Sequence, residues 1–363
     1  MESREILIET FNFKKPERVP ITEWVYWPDT IERWRREGLP MNVDPIEYFG
    51  MDRMEEMYYD RSLGFEEKVL SEDDESVTKI NSNGVTVRSW KKRYAPPQYL
   101  DFTVKTEEDW FKVKDRLRPT EGRLKTVEGP LGLEKFDAKT KYQDWRSGNV
   151  FLSFFFRDPC WLAMNDLIGM KNTLTNMYTK QEWLHDLFRT YVQLDIEMYK
   201  IALEMGMEFD AIRMNGDLCY KNGMMFSPKI YDKLLYPYHK MQCDFAKSKG
   251  LPVIYHCDGN VKQYIPLLIK AGVTAIHPLE ARAGNDVREY KKLYGEKIVL
   301  IGNISAESMS AGKKEVEAEV KSKLPVAMEG GGYVFNSDHS VPPTVSLENY
   351  AYTIQLAKKY GRY

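Results

Sequence analysis

Three of the five histidines stand where an apolar, strand-like run breaks off: His256 in VIYHCDG, His277 in AIHPLE and His339 in YVFNSDHSVPP. An imidazole can bind a metal or move a proton near neutral pH, and parallel α/β enzymes build their sites at the C-terminal ends of strands. His256 and Asp258 are two apart, so on a continuing strand both side chains point to one face. That is a pair of metal ligands, and His339, on the turn after the last strand run, is the natural third. A His, Asp and His set can hold Zn²⁺ with a fourth position open, or Fe(II) as a facial triad. The same residues also admit a structural reading, with His256 capping its strand, Asp258 turning the chain with Gly259 and His339 bonding a carbonyl.

Other reactive groups gather at the same kind of place. His277 ends a strand run, Pro278 forces an extended turn, and Glu280 then faces the mouth as a general base, a further ligand or the partner of Arg282. Asp217, in MNGDLCYKNG, follows another strand end with Tyr220 and Lys221 beside it. It can serve as an acid or base toward a polar substrate, or cap a short turn. The aromatic cluster EWVYWPDTIERW supplies Trp24, Tyr26 and Trp27 as a wall for an apolar or aromatic ligand. The glycine run at 330–332 precedes a strand, whereas a phosphate-cradling GxGxxG follows one, so no dinucleotide fingerprint is present.

The elements that must position these residues follow one rhythm from about Asn149 onward. Short β-branched or aromatic runs at 150–156, 210–215, 252–257, 274–279, 297–303 and 332–337 alternate with helical patterns, among them one or two helices over 174–206. Alternation of this kind predicts a parallel sheet. With Pro20 to Trp24 as a first strand, the fold class is α/β, a (β/α)8 TIM-type barrel with an N-terminal extension. Residues 76–90 alternate around Asn83 and Gly84 and predict a β-hairpin. They belong to an insertion over roughly 70–145, within which 119–141 reads as connecting helix and loop. No Pro/Gly/Ser-rich linker sets the insertion apart, so residues 1–363 form a single domain.

Bulk properties exclude several classes. Lys and Arg number 52 against 54 Asp and Glu, for a net charge of −2, and no basic block tracks a phosphate backbone, so nucleic acid is not expected as a partner. The four cysteines form no CxxC pair, which argues against a disulfide framework and points to a reducing cytoplasm. There is no apolar leader and no run of 18 apolar residues, so a membrane location is not expected.

The segments HCDGNVKQYIPLLIKAGVTAIHPLE, YGEKIVLIGNIS and GGYVFNSDHSVPPTVSLENYAYTIQLAKKYG, with RVPITEWVYWPDTIERW and DLCYKNGMMFSPKIYDKLLYPYHK, resemble the uroporphyrinogen decarboxylase superfamily. That superfamily also contains the cobalamin:coenzyme M methyltransferases and related corrinoid-dependent methyltransferases. The resemblance implies the same (β/α)8 barrel and covers nearly the whole chain apart from roughly 70–145. Its methyltransferase branch binds zinc through a His-x-Cys pair on one strand and a Cys after the last, before Pro-Pro. His256 matches that histidine, while Asp258 and His339 stand at the positions of the two cysteines. The decarboxylase branch grips tetrapyrrole carboxylates with an arginine pair near the N-terminus. In the corresponding stretch, Glu23 to Trp34, this chain carries Trp24, Tyr26, Trp27 and Asp29, with Arg33 the first arginine.

The resemblance thus implies a metal-assisted methyltransferase that moves a methyl group between a small substrate, for instance a methoxylated aromatic, and a corrinoid on a partner protein. Zinc or another divalent metal would sit on His256, Asp258 and His339. Asp217 or Glu280 would handle the proton, and Trp24, Tyr26, Trp27, Tyr220 and His277 would shape the substrate site. A cofactor-free decarboxylase of a smaller acid and a non-catalytic small-molecule binder on the same barrel are the alternatives.

Overall fold

The structure, a computed structural model, describes residues 1–92, 95–124, 127–128 and 135–363. Its centre is a seven-stranded, all-parallel sheet in chain order: β1 (Met54–Met57), β2 (Phe151–Arg157), β3 (Ala211–Asn215), β4 (Val253–His256), β5 (Ala275–His277), β6 (Val299–Ile301) and β7 (Tyr333–Val334). Segment 20–22 bridges the two edges. Thr22 N–H donates to the Phe335 carbonyl at 2.9 Å, Phe335 N–H donates to that of Pro20 at 2.9 Å, and Asp52 N–H donates to that of Ile21 at 2.7 Å. The eighth position of the barrel is therefore filled by a short bridge rather than a full strand over Pro20 to Trp24. Strand β1 escapes a sequence reading because MEEM carries two glutamates and no β-branched residue.

Alternation along the strands sorts side chains into two cores. Val253 and Tyr255 of β4 face outward into the layer between sheet and helices, while Ile254 faces inward with Phe151, Ala211, Ala275, Val299 and Val334. The helix Ser3–Phe11 plugs the lower end of that inner core with Leu7 and Phe11, whose ring stacks on Phe151 at 5.2 Å. The N-terminal extension is thus a lid on the side away from the strand C-termini. The helical pattern at 174–206 resolves into the helices Met170–Thr179 and Gln181–Glu204.

The predicted hairpin is present, with Ser76 opposite Trp90, but it is the middle of a four-stranded antiparallel sheet that starts at Lys68 and ends at Asp101. Part of the connecting segment predicted over 119–141 lies outside the described residues. Among the described residues no helix is long and apolar enough to cross a membrane.

Candidate functional site

The parallel register lines up Arg157, Asn215, His256 and His277 at one level across four adjacent strands. In-register residues of a parallel sheet point to the same face, so these four form a row at the C-terminal mouth. One layer below stand Phe155 and Arg213. The loop after β3 brings Asp217 to the row and the turn after β4 brings Asp258, whose N–H donates to Asp217 Oδ1 at 3.1 Å.

Ligand atoms of Asp217, His256 and Asp258 all lie within 4.8 Å of one another. His256 Nε2 stands 3.5 Å from Asp217 Oδ1 and 3.7 Å from Asp258 Oδ1, while His339 Nε2 is 3.3 Å from the other oxygen, Asp258 Oδ2. His339 therefore reaches the cluster through Asp258. Asp258 Oδ1 is buried without a hydrogen-bond partner. Such an atom costs about 1–3 kcal/mol or more when charged and is rare in native folds, unless a cation completes it.

Protonation suits donors. Burial drives the His256 imidazole down to about 3, leaving it neutral. Burial, and then the charge of Asp258, push the Asp217 carboxyl up to about 7. Burial also opposes ionisation of Asp258, but the hydrogen bond and charge of His339 outweigh it and hold that carboxyl below its usual value. His339 is raised in return, chiefly by its bond to Asp258.

A cavity of about 830 Å³ opens above this cluster, within the range of small-molecule sites. Trp24, Trp27, Phe155 and Trp161 give it apolar walls, Arg61 and Arg157 give it positive charge, and Ser82, Asn83 and Pro96 of the inserted region close one side. Arg61 is fully engaged: it pairs with Asp195 at 3.3 Å and lies over the Tyr59 ring at 4.0 Å. Arg157 donates to Asn215 Oδ1 at 3.0 Å and makes no ion pair within 4.0 Å among the described residues.

The other sequence-nominated residues separate. Trp24 and Trp27 line the cavity. Tyr26 does not; its hydroxyl meets that of Tyr350 at 3.1 Å and its ring packs on Trp34. Tyr220 lies half-exposed on the hairpin Cys219–Tyr220 and Gly223–Met224, away from the cavity wall. His277 is buried beside His256, its Nδ1 2.8 Å from His256 Nδ1. Glu280 turns into the scaffold: Oε2 accepts Gly259 N–H at 2.7 Å and Oε1 accepts Arg282 Nε–H at 2.5 Å. It braces the turn that carries Asp258, the salt-bridge alternative of the sequence reading.

Four residues went unnominated. Arg213, an arginine inside the apolar run DAIRMN, and Arg157, closing VFLSFFFR, were visible as charges out of place in strands. Asn215 needed the register. Asp166 lines the cavity from a π-helical turn, Ala163–Leu167, a local widening typical of functional positions but without a sequence signal.

Glu23 fixes Trp24 from behind. Its carboxylate accepts from Ser337 Oγ at 2.7 Å, Tyr350 OH at 3.0 Å and Trp24 N–H at 3.2 Å, yet burial still raises it to about 7. A carboxyl raised in the folded state destabilises once ionised. Its favourable contribution is complete below the unfolded value near 4.5 and is lost as pH rises through 7. Glu23→Gln is therefore expected to remove about 2–3 kcal/mol of pH-dependent stability between pH 5 and 8. Urea unfolding at both pH values checks this, and equal slopes in variant and parent would contradict it.

A parallel barrel with acids, imidazoles and a cavity gathered at its strand C-termini defines the TIM-barrel class of enzyme folds. Within that class the chain belongs to the family described as uroporphyrinogen decarboxylase (URO-D), whose profile matches residues 150–360. It is 25% identical over 230 residues to the uroporphyrinogen decarboxylase of Geobacter metallireducens, covering 60% of this chain and 62% of that one. Similarity to the Geobacter sulfurreducens enzyme is 25% over 149 residues, 39% of this chain and 40% of the relative. The chain thus matches between two fifths and about three fifths of these relatives' length. In structure it resembles a methyltransferase from Methanosarcina mazei, with a TM-score of 0.65, 16% identity and 99% of both chains covered, a likeness of fold.

Proposed function

We propose that the protein is a metal-assisted methyltransferase that moves a methyl group between a small substrate and a corrinoid carried by a partner protein. The observation that carries this reading is Asp258 Oδ1, a buried and unpartnered oxygen beside the Nε2 of a neutral imidazole and a second carboxylate. Two carboxylates and an imidazole suit zinc or another divalent ion. His256, Asp258 and Asp217 would hold it, with His339 in reach behind Asp258. A divalent ion here supplies Lewis acidity toward a substrate oxygen.

The remaining work falls to the chain's own side chains. His339 lines the cavity, and its bond to Asp258 raises its affinity for a proton. It can donate a proton at Nδ1 or Nε2 to the departing oxygen, a task the sequence reading assigned to Asp217 or Glu280. Trp24, Trp27 and Trp161 offer flat apolar surface for an aromatic methyl donor and keep water from it. Arg157, with most of its donors uncommitted, would grip an anionic substituent at the other end of the row.

The test is methyl transfer from a methoxylated arene to free cob(I)alamin, with bound metal measured in parallel. Stoichiometric metal whose removal stops turnover supports the reading. Full turnover after exhaustive chelation sinks it. For donors bearing a carboxylate, Arg157→Leu is expected to raise KM about 10- to 100-fold with little change in kcat, since it removes binding common to ground and transition states. An unchanged KM would leave Arg157 outside the substrate site.

The decarboxylase alternative draws on Asp217, held near neutrality in a cavity with two arginines. It predicts metal-independent release of CO₂ from a small acid, which the chelation experiment separates from methyl transfer.

A further inference from the structure

We propose that Arg213 and His277 act as a positioning pair that fixes the tautomer of His256, forcing its proton onto Nδ1 and presenting Nε2 as a bare lone pair to Asp217 and Asp258. The inference rests on the metal reading for its purpose but not for its geometry.

The proton assignment follows from who can donate. A guanidinium has donors and no acceptor. Arg213 Nη2 lies 2.9 Å from His277 Nδ1 and 3.3 Å from His256 Nδ1. The shorter contact requires His277 Nδ1 to be the acceptor, so that ring carries its proton on Nε2. The side-chain hydrogen bond between His277 and Asn336 agrees with this: Asn336 Nδ2–H donates to Thr22 Oγ1 at 3.0 Å, which leaves its oxygen as the acceptor for the His277 ring. The two Nδ1 atoms of His256 and His277 stand 2.8 Å apart, and between two nitrogens at that distance one hydrogen must lie. His277 Nδ1 is already an acceptor, so the hydrogen belongs to His256. Either assignment sets one protonated Nδ1 against the guanidinium N–H; placing the hydrogen on His256 puts that donor–donor contact at the longer distance, 3.3 Å, rather than at 2.9 Å.

The surroundings hold the arrangement rigid. Arg213 pairs in charge with Glu56, 3.2 Å from its Nε, although the geometry there makes no hydrogen bond. Trp24 covers the set, with its ring 4.5 Å from that of His256, 5.6 Å from that of His277 and 5.3 Å from the guanidinium carbon. All three polar side chains beneath it are nearly inaccessible, so water cannot rearrange the bonds. The consequence reaches the mouth. A bare Nε2 facing two carboxylate oxygens at 3.5 and 3.7 Å is a set of acceptors that a bound cation, or a proton on Asp217, would complete.

Long-range ¹⁵N–¹H NMR of the metal-free, ¹⁵N-histidine-labelled protein reads the tautomers directly, with signals assigned by their loss in His256→Gln and His277→Phe. The expected result is opposite tautomers: a pyridine-like Nε2 on His256 and a pyridine-like Nδ1 on His277. In His277→Phe, which keeps ring volume and removes the acceptor, His256 should populate both tautomers and zinc affinity should fall about 10- to 100-fold, as loss of an outer-shell partner does. A proton on His256 Nε2 in the parent protein overturns the proposal whatever the metal does. The stated tautomers without zinc binding would instead support it while removing the metal reading, so the two failures are distinguishable.

Discussion

Asp258→Asn is expected to lose metal affinity by well over 100-fold and methyl transfer with it, while His339→Gln keeps its metal within about tenfold and slows the chemical step by about 10²–10⁴. The contrast follows from the two oxygens of Asp258. Oδ1 faces Asp217 and His256 and has no other partner, whereas Oδ2 faces His339 at 3.3 Å. An asparagine at 258 removes the charge that a divalent ion needs and places an amide where a ligand oxygen stood. A glutamine at 339 leaves Oδ1, His256 and Asp217 in place but cannot carry a proton to a leaving oxygen. Bound metal by elemental analysis and single-turnover rates separate the effects. Should His339→Gln lose metal as completely as Asp258→Asn, His339 is a ligand, as the sequence alone suggested, and the proton must come from Asp217. Thermal unfolding of Asp258→Asn, measured alongside, separates loss of fold from loss of metal, because the variant relieves repulsion against Asp217 but gives up the charged bond to His339.

How far this site could be read from the chain depends on where its information lies. His256, Asp258 and His339 were legible because apolar strand runs end at them, and strand ends are where parallel barrels place reactive groups. The rhythm from 149 onward gave the parallel sheet for the same reason. Strand β1 was not legible, since Glu55 and Glu56 break the apolar pattern, and Glu56 points by strand alternation into the barrel, where Arg213 meets it. Asp217 as the close neighbour of His256, and Asn215 as the partner of Arg157, depend on the register between β2, β3 and β4, which no local pattern encodes. Glu280 shows a position that left its role open. Its position beside a strand end suggested chemistry, while its oxygens are taken by Gly259 and Arg282.

The same buried arginine that escaped notice carries the second large effect, on stability. Arg213→Met is expected to destabilise the fold by about 3–5 kcal/mol, the cost of leaving a buried partner charge uncompensated. Glu56, which also accepts a hydrogen bond from Tyr58 OH, would keep its carboxylate inside the barrel with no cation near it. His277 Nδ1 would lose its guanidinium donor, and the face of Trp24 its cation. Methionine matches the arginine stem in length and fills the space, so cavity formation adds little and the loss reads the charge. The double variant Arg213→Met with Glu56→Gln tests that reasoning, because it removes the orphaned carboxylate while Tyr58 keeps a hydrogen-bond partner. It should recover more than half of the lost stability in urea unfolding without restoring the single tautomer of His256. A single-variant loss below about 1 kcal/mol would mean that water reaches Glu56 and that the layer beneath the site is not closed. Recovery of the fold without recovery of the tautomer would show that the barrel could have been stable without this ion pair, and that its place is explained by the imidazoles above it.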